Sequence, residues 1–249
     1  MKAFPALRAA TFVGLISLSF ATSASAQLFH IVGKDSFPGV DTTENTGVAI
    51  NARFQFNYGG TAGLLRLTLT NLSGTPRPLA EGGGNYTAGI LTGFGFDAPS
   101  GMSYVNNSFT QVLGAGSGSE PFGINFAVDV GYDLSGLASF DIGAAGTSPS
   151  PKSGLSGGYE AVFTFKFTGN LTNFNESNFF SHNGSDADMG FRFQSVGPSG
   201  SKSDKVAYWV NDCDIPPIPE PSTYGAMAAG LLLGVVGWKR YRQSVKRAA

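Results

Sequence analysis

Histidine and cysteine, the residues most often recruited to catalysis, are scarce in this chain of 249 residues: there are two His and one Cys. His30 stands alone, and His182 lies in Ser181-His-Asn-Gly-Ser-Asp-Ala-Asp188. A Ser-His-Asp triad needs a defined nucleophile, and no G-x-S-x-G turn selects one serine among so many. Zinc needs closely spaced ligand pairs, which two isolated histidines and one cysteine do not supply. Asn183, Asp186 and Asp188 offer hard oxygens to calcium, without the spaced loop and terminal bidentate Glu of an EF-hand. The same residues also make turns unaided, through side-chain hydrogen bonds and tolerance of left-handed backbone. Structural calcium is therefore the one cofactor suggested; the turn reading stands beside it. Asp129 and Asp133, flanking Gly131, read the same way. A glycosidase needs two carboxyls about 5–9.5 Å apart, and Glu44, Glu81, Glu120, Glu160 and Glu176 fall in no order that picks a pair. Cys213, between Asp212 and Asp214, has no partner for an internal disulfide, and the two acids disfavour its thiolate. The expectation is a protein that is not an enzyme, with no catalytic or cofactor-binding residue to assign. Carbohydrate binding through exposed aromatics is the chemistry left, with Tyr58, Tyr86, Tyr104, Tyr132, Tyr159 and Trp209 available.

Those side chains would have to be positioned by strands. Charged residues make up 13% of the chain and glycine contributes 35 residues, a turn-rich balance far from that of a coiled coil. Period-2 alternation recurs: Val48, Ile50, Phe54, Phe56 and Tyr58 against Asn51, Arg53, Gln55 and Asn57, then Leu65, Leu67 and Leu69 against Arg66, Thr68 and Thr70. Further runs are Phe122 to Tyr132, Tyr159 to Phe167, Phe191 to Phe193 and Val206 to Val210, with weaker ones at Ile90 to Phe96 and Met102 to Val105. Each presents one apolar and one wet face. Gly-, Ser- and Asn-rich loops separate them, such as 82–85, 114–119 and 143–158. About seven or eight such strands, with no amphipathic helix between them, predict an all-β fold: a single antiparallel β-sandwich over residues 27–215, with jelly-roll topology as one option and phenylalanine dominating the core.

Both ends read as addresses rather than as structure. Lys2 and Arg8 precede an apolar stretch, 11–20, and then Ala24-Ser-Ala26, the order of a secretory signal peptide over 1–26 that signal peptidase cuts after Ala26. Near the C-terminus, Pro219-Glu220-Pro221 is followed by the uncharged segment 223–238 and a basic tail, 239–249, holding Lys239, Arg240, Arg242, Lys246 and Arg247. Sixteen helical residues span about 24 Å, short of the roughly 30 Å hydrocarbon core, so a transmembrane helix here spans with help from Trp238 and Tyr241 at the headgroups. The five basic residues hold the tail in the cytoplasm, which leaves 27 to about 218 outside. That exported part carries nine Lys and Arg against sixteen Asp and Glu, a formal charge of −7, and so has no counterion-release drive towards nucleic acid.

The motif, the short apolar helix and the basic end, in register over 216–249, resemble the PEP-CTERM sorting signal of Gram-negative bacteria. The resemblance implies recognition by exosortase, an integral inner-membrane enzyme, with cutting near Pro219, Glu220 and Pro221. Short stretches such as Leu91-Thr-Gly-Phe-Gly-Phe-Asp97 and Ser203-Asp-Lys205 are similar to ectodomain patterns of the same proteins. The function implied is that of an exported cell-surface or extracellular-matrix protein with a structural or adhesive role, associated with exopolysaccharide or biofilm. A surface-presented carbohydrate-binding module is the alternative, and a secreted hydrolase the third.

Overall fold

In the computed structural model the described residues are 26–59, 62–114, 123–148, 151–180 and 187–210. They fold into twelve strands and a few short helical turns. The strands are β1 (Ala26–Val32), β2 (Val40–Thr42), β3 (Ala49–Gly59), β4 (Ala62–Asn71), β5 (Ile90–Phe96), β6 (Met102–Tyr104), β7 (Thr110–Leu113), β8 (Phe126–Asp133), β9 (Ser139–Gly146), β10 (Glu160–Gly169), β11 (Met189–Val196) and β12 (Lys202–Tyr208). The one α-helical turn is α1 (Glu176–Phe179). Every strand pairing is antiparallel. One sheet runs β1-β3-β4-β10-β6, with β7 also on β10; the other runs β2-β12-β11-β5-β9-β8. The expected β-sandwich is therefore the fold, and these two strand paths decide the topology that alternation left open.

Alternation places the core where it is expected on the long strands. Leu65, Leu67 and Leu69 on β4, and Ala161, Phe163, Phe165 and Phe167 on β10, are fully buried while Arg66 and Lys166 face outward. The inner faces meet ring against ring: Phe94 lies 4.7 Å from Phe163, and Phe96 is edge-on to Phe165 at 5.3 Å. Each buried ring contributes about 1.5–3 kcal/mol, and each such pair about 0.5–1.5 kcal/mol more. Phe174, Phe179 and Phe180, delivered by the turn around α1, pack on Phe56 and Phe167 and close one end of the sandwich. Buried Asn71 is fully satisfied: its Nδ2 donates to the carbonyls of Gly89 (3.0 Å) and Leu155 (2.8 Å), and its Oδ1 accepts from the Ser73 N–H.

Three departures from the sequence pattern have physical causes. Strands β1, β2, β7 and β9 are additional to the predicted set, and β9 runs through Gly143, inside a stretch read as loop. On β8, Val130 is 66% exposed although it alternates with the core residues, because β8 is the outer strand of its sheet and kinks at Gly131 (φ 76°). The pairing keeps one register across the kink, Val130↔Ile142 and Tyr132↔Phe140, so what changes is the facing of the side chains. Tyr132 is thereby carried to the outer face, where it joins Leu134, Phe140, Ala187 and Ala207 in a second small core. Gly93, Gly95, Gly143 and Gly190 form the floor under these side chains: a Cβ at Gly95 would lie 2.7 Å from both Tyr132 and Phe140. The Gly-Phe-Gly-Phe run of β5 thus has phenylalanines for one core and bare backbone for the other.

Candidate functional site

The outward face of the first sheet holds the richest set of polar side chains. Strand register arrays them in rows: His30, Asn51, Thr70 and Glu160; then Leu28, Arg53, Thr68 and Val162; then Gln55, Arg66 and Thr164. Between the rows lies a trough of about 370 Å³ lined by Leu28, Asn51, Arg53, Gln55, Arg66, Thr68, Thr70 and Glu160. Arg53 faces Thr68 and Arg66 stands two residues along the same strand, so the arginines form a diagonal pair with a typical separation of about 7–8 Å. The Thr70 hydroxyl donates to Glu160 Oε2 at 3.2 Å. Guanidinium forks, amides and hydroxyls in this arrangement suit a ligand rich in hydroxyl and carboxylate oxygens.

One end of the trough is bounded by a tight polar cluster. His30 Nδ1 lies 2.7 Å from Asn51 Oδ1, and its Nε2 lies 3.3 Å from Glu81 Oε2 and 3.2 Å from the Tyr86 hydroxyl. That hydroxyl donates to Glu81 at 2.5 Å, and the Arg77 guanidinium sits over the Tyr86 ring, 5.1 Å from its centroid. Burial, and next the bond to Glu81, push the Tyr86 hydroxyl above the usual phenol range. For Glu81 burial acts to raise the pKa, but the hydroxyl of Tyr86, the imidazole and the Arg77 charge outweigh it and hold the carboxyl below its ordinary value. A depressed carboxyl contributes stability that is complete above its unfolded pKa and is lost as pH falls through the folded one. Tyr86→Phe is therefore expected to return the Glu81 titration upwards, towards an ordinary carboxylate; carbon-detected NMR of the side chain reads this directly, and an unmoved titration would show that the hydroxyl bond is not what holds it.

The cluster holds the loop 76–85, which turns on three successive left-handed glycines, Gly82, Gly83 and Gly84, onto the sheet. Among the described residues its histidine has an amide, a carboxylate and a phenol as hydrogen-bonding neighbours.

A second constellation gave no functional signal in the sequence. Asp204 is completely buried on β12, and the segment 42–46 curls round it. Its Oδ1 accepts from the hydroxyls of Thr42 (2.6 Å) and Thr43 (3.3 Å) and the N–H of Glu44 (3.1 Å). Its Oδ2 accepts from the N–H (3.3 Å) and hydroxyl (2.5 Å) of Thr46. All five contacts are donors, so this is a carboxylate socket filled by the protein's own side chain, not a cation site. The sequence cues were the stretch Ser203-Asp-Lys205 and, far from it in the chain, the Thr-rich run Thr42-Thr-Glu-Asn-Thr46.

The residues singled out from the sequence are distributed as follows. Asp188 is buried; its Oδ2 accepts from the Val210 N–H at 2.7 Å and its own N–H donates to the Tyr208 carbonyl, so a cation would compete with the backbone for this carboxylate. Its proposed co-ligands Asn183 and Asp186, and also His182 and Cys213, lie outside the described residues. Asp129 and Asp133 are exposed on β8, and among the described residues no three His, Cys, Asp or Glu side chains gather as a metal site. Tyr86 and Tyr132 are buried, Tyr104 and Tyr159 pack against the main core, and Trp209 packs against the second one. Trp209 also borders an open groove with residues 35–40 and is pinned by its N–H to the Gly39 carbonyl at 2.8 Å. These aromatics are chiefly packing elements; the polar trough, whose rows the alternation of β3 and β4 foreshadowed, was not singled out.

Of the two terminal addresses, Ala24 lies outside the described residues, and Ala26 opens β1 opposite Gln55. No helix among the described residues is long and apolar enough to cross a membrane, and the segment 223–238 lies beyond them. Pro219, Glu220 and Pro221 also lie beyond them. Residues 217–242 match the family model described as the PEP-CTERM protein-sorting motif. The chain is a PEP-CTERM domain-containing protein. The motif marks it as exported and exosortase-targeted, with a C-terminal membrane-anchoring sorting signal. The match covers the tail; the sandwich precedes it. No curated protein matches the chain.

Proposed function

We propose that this PEP-CTERM protein is a structural or adhesive component of the cell surface or extracellular matrix, held among exopolysaccharide or in biofilm, and that it is a substrate of processing enzymes and not itself an enzyme. The observation that carries the reading is the sorting motif at 217–242, which follows in the chain a β-sandwich whose last described strand is β12 (Lys202–Tyr208). Signal peptidase, acting after Ala26, and exosortase, acting near Glu220, are its processing partners. The location of His30 among Asn51, Glu81 and Tyr86 supports the non-enzymatic reading. Two variants test the sorting step. Glu220→Ala, and separately removal of Lys239 to Ala249, are expected to leave unprocessed precursor in the inner membrane of a host that carries exosortase. Intact mass and cell fractionation read the result, and release of both variants at the mature mass would overturn the assignment.

A carbohydrate-binding module is the second reading, and the polar trough favours it over the aromatics first considered. Arg53 and Arg66 lie side by side in an otherwise acidic exported part, which points to a polysaccharide bearing carboxylates. Arg53→Ala with Arg66→Ala is expected to weaken retention on a uronate-containing polysaccharide at least tenfold in low salt, with the melting temperature nearly unchanged. Trp209→Ala is expected to leave retention intact. If Trp209 alone carries the binding, the site is the groove at residues 35–40 and the trough is only a wet sheet face.

A further inference from the structure

The outer strands of the two sheets are protected unequally. Main-chain donors and acceptors along an outer strand invite pairing with another chain unless the strand is short, bent, charged or interrupted by proline. On the second sheet, β2 has three residues and includes Asp41, and β8 bends at Gly131 and carries Asp129 and Asp133. On the first sheet, β6 has three residues and β7 four. Strand β1 has none of these safeguards. Its seven residues, Ala-Gln-Leu-Phe-His-Ile-Val, include no Lys, Arg, Asp, Glu, Pro or Gly, and its register with β3 runs unbroken from Ala26↔Gln55 to Val32↔Ala49.

Hydrogen bonds at the end of β1 show which of its groups face outwards. The Gly33 N–H donates to the Val48 carbonyl at 2.8 Å, one step beyond Val32↔Ala49. Bonded pairs alternate along an antiparallel ladder, so Ile31 and Phe29 bond to β3, while the N–H and C=O groups of Leu28, His30 and Val32 point away from it. The Val32 carbonyl accepts from the Lys34 N–H at 2.7 Å, as that direction requires. Leu28 and His30 remain, and among the described strands β1 pairs with β3 alone. A groove of about 200 Å³ runs beside them, between residues 27–30 and the side chains of Phe37, Pro38 and Tyr208. Leu28 itself is 41% exposed on the outward face.

We infer that β1 is a self-association edge: two copies of the chain pair their β1 strands antiparallel about a two-fold axis at Phe29, joining their first sheets into one. In this register Leu28 opposes His30 of the second copy and His30 opposes its Leu28, so the outward-facing groups of both residues are satisfied in two bonded pairs. Inward and outward side chains keep to their own faces, which a one-residue slip would not allow, and the contact is isologous and closes on itself. Moving the axis to His30 would set imidazole against imidazole, and moving it to Leu28 would leave His30 opposite Ala26 at the very start of the strand. The charges select a second copy over an unrelated strand. Arg53 is the neighbour of Leu28 in the ladder, and strands lie about 4.8 Å apart, so Arg53 stands about 10 Å from His30 of the second copy on the same face. Within each chain Glu81 lies 3.3 Å from His30. Each guanidinium therefore reaches towards a carboxylate of the other copy, twice by symmetry.

The test uses the full chain, with Cys213→Ser as background for cross-linking. Two differently tagged copies are co-expressed, one with Leu28→Cys and the other with His30→Cys. Cα atoms of a bonded pair are about 5.5 Å apart, within disulfide range, so mild oxidation is expected to link these copies about tenfold more than two copies that both carry Leu28→Cys. Two substitutions then test the edge in the otherwise unmodified chain. Leu28→Pro removes an N–H that faces away from β3, and Leu28→Lys adds the charge that outer strands otherwise carry. Each is expected to raise the dimer dissociation constant, read by sedimentation equilibrium, about tenfold or more, with the melting temperature moved by about 2 °C or less. If Leu28→Pro fails to fold, Leu28→Lys decides. An unmodified protein that stays monomeric at tens of micromolar overturns the inference, as does linkage that is equal in the two cysteine pairings. So does a dimer that survives the substitutions at Leu28: neither touches the tail, so association through the apolar segment 223–238 would persist in both. Loss of the sorting reading would leave this pairing standing, because no residue of the tail takes part in it.

Discussion

Asp204→Ala is expected to destabilise the sandwich by about 3–5 kcal/mol, a drop of roughly 6–20 °C in melting temperature for a domain of this size. The magnitude follows from what the carboxylate does. It is fully buried and collects five donors, three from Thr42, Thr43 and Glu44 on one oxygen and two from Thr46 on the other. Hydrogen bonds to a charged group contribute about 1.5–3 kcal/mol each in isolation, and donors left without a partner add their desolvation cost. Some of that loss is recovered because the segment 42–46 lies at the periphery and can turn its hydroxyls to water, which keeps the estimate well below the sum of five bonds. Asp204→Asn recovers less than half of the loss, because whichever way the amide is turned its NH₂ group faces at least two donors. The consequences extend beyond the turn. Thr87 donates to the Thr46 carbonyl, and Lys205 N–H to the Thr43 hydroxyl, so loosening the turn also loosens the edge strand β2 and the approach to β5. Thermal unfolding, with limited proteolysis at residues 42–47, measures both effects. A loss under about 1 kcal/mol would mean that water replaces the carboxylate at no net cost.

Gly143→Ala is expected to cost about 3 kcal/mol or more although it adds a single methyl group. The new Cβ would stand 2.5 Å from the carbonyl oxygen of Phe94 and 2.5 Å from Cβ and Cγ of Tyr132. Overpacking in a core typically costs about 1–3 kcal/mol when side chains can rotate away. Here one of the two obstacles is the backbone of the neighbouring strand, which pairs with β9 at Gly95↔Gly143, and the other is the root of a ring that already fills its site. The first cannot move without separating β5 from β9, nor the second without shifting β8 on β9. Gly136, by contrast, has φ 86° and open space around it, so Gly136→Asn, a residue that tolerates left-handed backbone, is expected to be nearly neutral. Urea unfolding of both variants, compared at constant m value, gives the difference. Equal stabilities would show that the second core repacks freely.

The contrast between these two residues explains how much was legible beforehand. Alternation in β3, β4 and β10 identified their core residues because those strands are long and paired without a break; Phe163, Phe165 and Phe167 needed no further information. Alternation failed where a strand is short or serves two cores. Strand β9 carries Gly143, Ala144, Ala145 and Gly146, and nothing in such a run says that a neighbouring tyrosine will lie across it. Tyr132 was assigned to the wrong face because the backbone turns at Gly131 (φ 76°) and sends Tyr132 to the second core while Phe126 and Val128 keep to the first, which alternation cannot anticipate.

The sequence by itself determined the sorting motif and the fold class. The sorting motif matched at 217–242 is linear information, a motif, an apolar stretch and a basic end that follow one another along the chain. The β-sandwich was also implicit locally, since each strand's hydrophobic period is set by its own pleat. Only the tertiary structure decided which polar residues act together. His30 meets Glu81 across 51 residues of chain, Asp204 meets Thr42 across 162, and Arg53 and Arg66 become neighbours only when β3 pairs with β4. These contacts depend on strand order and register, which are settled by the packing of two whole sheets and leave no mark in any one segment.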